Sequence, residues 1–337
     1  MDTLGKLTLE MFLVFCFVSA HVMAQQSKDV PPIIDVHLHA LHANSFGSPT
    51  PPVCAGDKDD LAFVPIDPKN GYSLLSTEAC STPMQAPQSD EQVQRDTFAR
   101  LEKYNIAAVT SGSPELVSKW HEISPKRIIP GLAFNLEGAP SVETLRQLYK
   151  AGTFSVLGEA LTQYEGISPD DPAWEPYFAL CEELDIPVGI HTGLGPPGAS
   201  YFSSPKYRAR VSNPLLLEDV LVRHPKLRLY VMHAGWPMSD QSDQMVALLY
   251  AHPQVYVDVA VIDWAIPRRE FHQYLRRLVD AGFGKRIMFG SDQMVWPGAI
   301  DIAIEGIRSA DFLSEEQKRD ILFNNAARFL RLEPGKR

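Results

Sequence analysis

The stretch at residues 33–39 reads Ile-Ile-Asp-Val-His-Leu-His. Its apolar, β-branched start has the composition of a buried strand. Its end carries two histidines at i and i+2, positions that point to the same side of a strand. His37 and His39 therefore converge at one strand end. Two converging imidazoles suit a borderline divalent cation such as Zn2+. Taken alone, the pair fits ordinary packed histidines equally well.

Seven further apolar runs follow, at residues 106–112, 127–134, 154–161, 186–193, 227–235, 255–262 and 286–293. Most are near-continuous, as expected of parallel strands buried on both faces. Amphipathic stretches lie between them, among them 91–104, 142–151, 174–184, 214–223 and 268–281. Strand–helix alternation repeated in this way predicts a (β/α)8 TIM barrel, one domain over residues 25–337. An open doubly wound sheet is the alternative, but no glycine-rich dinucleotide turn follows the first strand. A last helix is expected over 314–330, opened by the capping-box pair Ser314 and Gln317.

The loop after the first strand, residues 40–89, is unusually long and holds seven prolines together with Cys54 and Cys80. In a barrel it lies over the C-terminal face, where active sites are built. It reads as a lid-like insertion stapled by a Cys54–Cys80 disulfide. Cys181 falls in a helical pattern and reads as a small buried hydrophobe.

Composition narrows the function. The 337 residues carry 31 Lys plus Arg against 41 Asp plus Glu, a net charge of −10, which argues against a nucleic-acid partner. Hydrophobic residues at 45% allow a sizeable core. Residues 1–24 contain an apolar run at 11–20 and end in Val-Met-Ala, which reads as a secretory signal peptide cut after Ala24. A buried N-terminal helix is the alternative. No later stretch is long and apolar enough to span a membrane. The mature chain is therefore expected to be secreted or periplasmic. An oligomer remains open.

Four more donors stand where apolar runs end: Glu159, His191, His233 and Asp292. An unpartnered carboxylate or imidazole in a core would cost several kcal/mol. With His37 and His39 they make six such groups on one rim, a pattern that separate accidents explain poorly. Each one singly also fits a hydrogen-bonded structural residue. His121, His224, His252 and His272 fit helical or helix-end surroundings, and His42 falls in the long loop beside the histidine pair.

The set of His-x-His, then Glu, His, His and Asp on successive strands resembles the amidohydrolase superfamily. The phrases IIDVHLH, VGIHTG, VMHAG and FGSDQ are most similar to its amidohydrolase-related branch. The resemblance implies a metal-dependent barrel hydrolase over about residues 31–330. It places one divalent cation, of which Zn2+ is the expected species, on His37, His39 and Asp292. A second falls to His191 and His233, with Glu159 as the bridge. Many members carry a carboxylated lysine where this chain has Glu159. Others hold a single metal, with His191 as its ligand and His233 orienting substrate or water. Two ions are favoured.

The resemblance implies cleavage of an amide, ester or lactone bond of a small molecule. A divalent cation lowers the pKa of water to about 7, and Asp292 stands where a carboxylate takes up the water's proton. Decarboxylation or hydration is the alternative within the superfamily, and a non-catalytic metal-binding barrel is a third reading. Asp35 serves either as a structural strand residue on the inward face of His37 or as an orienting group for a ligand. Arg208 and Arg210, beside Tyr207 in the loop after His191, suit a substrate carboxylate or pairing with local acids. Trp236, like Trp264 and Trp296, suits either a pocket wall or simple packing.

Overall fold

Apolar runs buried on both faces need helices on one side and a packed interior on the other. The computed structural model of the protein, which describes residues 30–56, 67 and 80–332, supplies both. Eight parallel strands are hydrogen-bonded in the order β1 to β8. They are β1 Ile33–Ala40, β2 Ile106–Gly112, β3 Ile128–Phe134, β4 Val156–Ala160, β5 Val188–His191, β6 Leu229–Met232, β7 Tyr256–Asp258 and β8 Ile287–Met288. A helix follows each: α1 Asp90–Lys103, α2 Pro114–Ile123, α3 Val142–Lys150, α4 Glu175–Leu184, α5 Glu218–Arg223, α6 Gln241–Ala251, α7 Arg268–Asp280 and α8 Gly298–Arg308. The fold is the (β/α)8 barrel. The proposed signal segment lies outside the described residues, as does most of the middle of the long loop.

Local chemistry sets the helix starts. Ser89 caps α1 by accepting from Gln92 N, and Ser141 caps α3 by accepting from Thr144 N. Pro114 opens α2 at a position where its missing N–H costs nothing. The C-terminal helix departs from the expected single run. It starts with the Ser314–Gln317 capping box, but a π-helical turn at Asp320–Asn324 separates two short α segments. Docking under the barrel accounts for this: Ile321 O accepts from Phe289 N at 2.9 Å, and Asn325 Nδ2 donates to Ile287 O at 2.7 Å.

Two apolar layers result. Leucines, valines and aromatics of the strands pack outward against the helix ring. A smaller cluster of Ile34, Val36, Val109, Tyr230, Met288 and Phe329 comes from opposite strands and the last helix, and so fills the barrel interior. Strict alternation would put Asp35 on the same face as His37. A register shift between Asp35 and Leu38 breaks it, corresponding to a bulge. Val36 then joins the interior cluster while Leu38 packs outward. A second shift between Leu157 and Ala160 falls at Glu159.

The late strands are shorter than the apolar runs suggest. β8 stops at Met288 and β7 at Asp258, and the apolar residues that follow lie buried in loops. The ring closes by Val36 N donating to Phe289 O at 2.9 Å and Asp292 N to His37 O at 2.7 Å.

Cys54 and Cys80 are disulfide-bonded, and Cys181 is free and buried. The described parts of the long loop rest on the β7–β8 side of the rim. Trp296 Nε1 donates to Pro51 O at 2.9 Å, and Arg268 N donates to Gly56 O at 2.8 Å. The bridge joins cysteines 26 positions apart, so the double replacement Cys54→Ser with Cys80→Ser should lower the unfolding free energy by about 3–4 kcal/mol. Urea denaturation of both forms reads that difference, and a loss below about 1 kcal/mol would count against the loop-closure account.

Candidate metal centre

The segment after β8 is stitched to β1 side chain by side chain. Asp35 accepts from Ser291 N at 3.0 Å, Ser291 Oγ at 2.6 Å and its own neighbour His37 N at 2.9 Å. Gln293 accepts from His39 N at 2.9 Å and donates to His39 O at 2.6 Å. Between these two anchors, Asp292 is held against His37 and His39. Gly290 makes the approach possible, since a Cβ there would lie 2.8 Å from His37 Cβ. Of the two roles open to Asp35, the structure shows a brace across the seam.

The six donors come together. The Nε2 atoms of His37, His39, His191 and His233 lie 3.8, 3.7, 3.4 and 3.7 Å from carboxylate oxygens of Glu159. Asp292 Oδ1 lies 3.0 Å from His39 Nε2. His191 ends β5 and Glu159 is the penultimate residue of β4, whereas His233 is one residue past β6 and Asp292 four past β8. His233 and Asp292 have φ of 61° and 41°. This is the left-handed region, in which His and Asp are among the more tolerated side chains.

The opposite ring nitrogens are all engaged. His37 Nδ1 faces Asp258 Oδ2 at 3.1 Å, His39 Nδ1 faces Ser111 Oγ at 3.3 Å, and His233 Nδ1 faces Ala260 O at 2.9 Å. His191 Nδ1 meets the side-chain amide of Gln163, which also donates to Gly193 O at 3.1 Å. All four Nε2 atoms thus face the interior. At His37 and His233, whose outer partners only accept, Nε2 of the neutral ring carries the lone pair. A lone pair on His191 Nε2 requires the Gln163 amide to turn its oxygen, which no described donor engages, toward Nδ1.

All six groups are nearly inaccessible to solvent. Burial pushes the Glu159 carboxyl up, but the electrostatic pull of the His191 imidazole and contacts with His233 and His37 outweigh it and hold the group well below the usual range. Burial likewise raises Asp292, and the His37 charge with its contact to His39 brings it down to about 2. Burial lowers His191 to about 3, against the opposing pull of Glu159. Two ionised carboxylates in a dry centre need cationic partners.

The residues fit a divalent cation. His37 Nε2 and Asp292 Oδ1 are buried without a hydrogen-bond partner among the described residues, although one acts as a lone-pair donor when neutral and the other is anionic. Three ligand groups have donor atoms mutually within 4.8 Å: His37, His39 and Asp292; Glu159, His191 and His233; and His37, His233 and Asp258.

The predicted substrate contacts are more scattered in role. Tyr207 is buried, and its hydroxyl accepts from Gly195 N at 2.7 Å. Arg208 donates to the carbonyls of Pro205 at 2.9 Å and Tyr207 at 2.7 Å, so its guanidinium ties down its own loop. Arg210 is exposed, and Trp236 is half-buried. Trp264 and Trp296 are buried braces that donate to Ser291 O and Pro51 O. The other histidines are held elsewhere, as His42 is by Asp90 and His224 by Glu175 and Glu182.

Asp258, Gln163 and Gln293 do not stand out as site residues in the sequence. Asp258 sits inside the apolar run 255–262, where a carboxylate flanked by Val257 and Val259 was the available signal.

Barrel, rim donors and orphaned ligand atoms together define a (β/α)8 protein with a centre suited to divalent metal. The chain belongs to the amidohydrolase family, whose model, described as Amidohydrolase, matches residues 34–332. No curated protein matches it. Among solved structures it is similar to a probable 2-pyrone-4,6-dicarboxylic acid hydrolase from Acinetobacter baumannii with citric acid bound, at 15% identity and TM-score 0.57, over 89% of this chain and 99% of that one. It is similar to 5-carboxyvanillate decarboxylase from Sphingomonas paucimobilis at 15% identity and TM-score 0.51, over 70% and 82%. The decarboxylase of that name from Novosphingobium aromaticivorans, complexed with manganese, matches at 15% and 0.53, over 70% and 79%. At these identities the likeness is one of fold.

Purified protein should carry one to two equivalents of a divalent transition metal by elemental analysis. Stripping it should lower the melting temperature, since ligand at 100 times its Kd adds about 2.7 kcal/mol. The double variant His37→Ala, His39→Ala should lose the metal yet keep the circular dichroism of the barrel.

Proposed function

We propose that the protein is an exported, metal-dependent hydrolase that cleaves an amide, ester or lactone bond of a small molecule with water. The observation that carries this reading is Asp292: a buried, ionised carboxylate that faces the imidazole cluster, its Oδ1 3.0 Å from His39 Nε2. His37, His39 and Asp292 would hold one cation, and Glu159, His191 and His233 a second, with Zn2+ or Mn2+ suited to this nitrogen and oxygen donor set. A cation bound there supplies Lewis acidity toward a substrate carbonyl and acidifies water.

The protein's own groups do the rest. Asp292 Oδ1 takes the proton of the attacking water and delivers it to the leaving group. Its N–H bond to His37 O keeps that oxygen in place through the cycle. Trp236 and the Tyr207 loop flank the rim, and Arg210 has no hydrogen bond or ion pair with a described residue, which leaves its guanidinium for a substrate carboxylate. The long loop serves as a lid. Export is read from residues 1–24, and N-terminal sequencing of the mature protein should begin at Gln25.

An Asn at 292 keeps the shape and one oxygen donor but cannot accept the proton. Asp292→Asn should cut kcat by about 10²–10⁴, with a much smaller loss of bound metal on the same preparation. Near-wild-type turnover at full metal would remove Asp292 from proton transfer. The product of a reaction run in ¹⁸O-water should carry the label, whereas CO2 release without label would move the chain to the decarboxylating chemistry of the superfamily.

A further inference from the structure

Asp258, the last residue of β7, is a buried carboxylate beside the donor cluster that the two ligand sets above leave without a role. Its Oδ1 accepts from the main-chain N–H groups of His233 at 2.8 Å and Ala260 at 3.1 Å. Its Oδ2 faces His37 Nδ1 at 3.1 Å. Backbone N–H groups can only donate, so Oδ1 is committed to them. A carboxylate oxygen can only accept, so the proton of neutral His37 sits on Nδ1. The lone pair is then on Nε2, the buried atom that has no hydrogen-bond partner among the described residues. Ala260, held by its N–H, in turn presents its carbonyl to His233 Nδ1 at 2.9 Å. The same logic puts the His233 proton on Nδ1 and its lone pair toward Glu159.

We propose that Asp258 is a positioning residue that sets the tautomer of His37 directly and that of His233 through Ala260, so that one side chain aims two imidazoles at the metal. The inference rests on the reading of these histidines as ligands.

It makes an unusual demand on the conservative variant. An Asn at 258 has one acceptor oxygen. Giving it to the two backbone donors leaves the amide NH2 facing His37 Nδ1. That nitrogen must then accept, and the ring proton moves to Nε2, where it blocks ligation. Turning the amide the other way sets its NH2 against two buried N–H groups, a worse mismatch. An Ala at 258 leaves His37 free to choose its tautomer but deprives His233 N and Ala260 N of their acceptor.

Metal affinity and stability should therefore rank in opposite orders. Zn2+ titrated into metal-free protein against a chelating dye should bind Asp258→Asn about 100-fold more weakly than wild type and Asp258→Ala about 10-fold more weakly, within the range such ligand-orienting partners command. Thermal unfolding of the metal-free proteins should show Asn the more stable of the two. A purely structural role predicts Asn milder than Ala in both measurements, and that result would overturn the proposal. Nitrogen-15 spectra of histidine-labelled, metal-free wild type provide a reading that needs no variant to fold. Read at a pH where the ring is neutral, His37 should carry its single proton on Nδ1, and a neutral ring protonated on Nε2 instead overturns the proposal. If wild type binds no Zn2+, the metal reading fails, while the spectra still decide what Asp258 does.

Discussion

The rim of this barrel depends on the carboxylate of Asp35 and the amide of Gln293 bridging β1 to the segment after β8. β8 is only Ile287–Met288, too short to close a ring by main-chain pairing alone. The side chains do what a longer ladder would do and bring Asp292 to the histidine pair. Burying Asp35 has a cost, visible in its carboxyl being pushed up to about 6 despite the hydrogen bonds of Ser291 and His37. Three donors offset part of it, as buried polar groups require. The brace therefore ties barrel closure and site assembly to the same few atoms.

Electrostatics gives the site its direction. Glu159 lies at ion-pair distance from four imidazoles and Asp292 from one. Each imidazole spends its outer nitrogen on Asp258, Ser111, Gln163 or Ala260. A neutral histidine has one lone pair, and with Nδ1 donating to an acceptor, as at His37 and His233, that lone pair faces inward. A hollow that receives the lone pairs of His37 and His233 beside two carboxylates is unfavourable unless a cation enters it. Folding energy supplied by the rest of the barrel maintains the arrangement until then.

Much of this was legible in the sequence. The alternation of apolar runs with amphipathic stretches implied the barrel because parallel strands and ring helices have different periods. The donors stood out because a carboxylate or imidazole at the end of an apolar run has few inexpensive explanations. Strand ends were not legible. The runs 227–235, 255–262 and 286–293 stay apolar past the last ladder residue because the segments that follow the strands are buried too. Nor was the bulge at His37, since alternation counts residues and a bulge is one residue that does not count. Asp258 and Gln163 escaped because a carboxylate inside an apolar run and a glutamine in a loop acquire meaning only from the ring they touch.

The shortness of β6 to β8 bears on how such a site is made. A residue within a regular strand has its backbone committed to both neighbours, so its side chain can point only up or down the pleat. His233 and Asp292 stand just beyond the ladder at positive φ, where the backbone turns and the side chain can reach sideways. That freedom is expensive unless the turn is held, and here Asp258 holds the N–H of His233 while His37 O accepts the N–H of Asp292. The early strands contribute donor side chains by bulging, at His37 and at Glu159, and the late strands by stopping. Both devices turn side chains out of the pleat's strict two directions, which six donors from five strands must leave if they are to meet within one hollow.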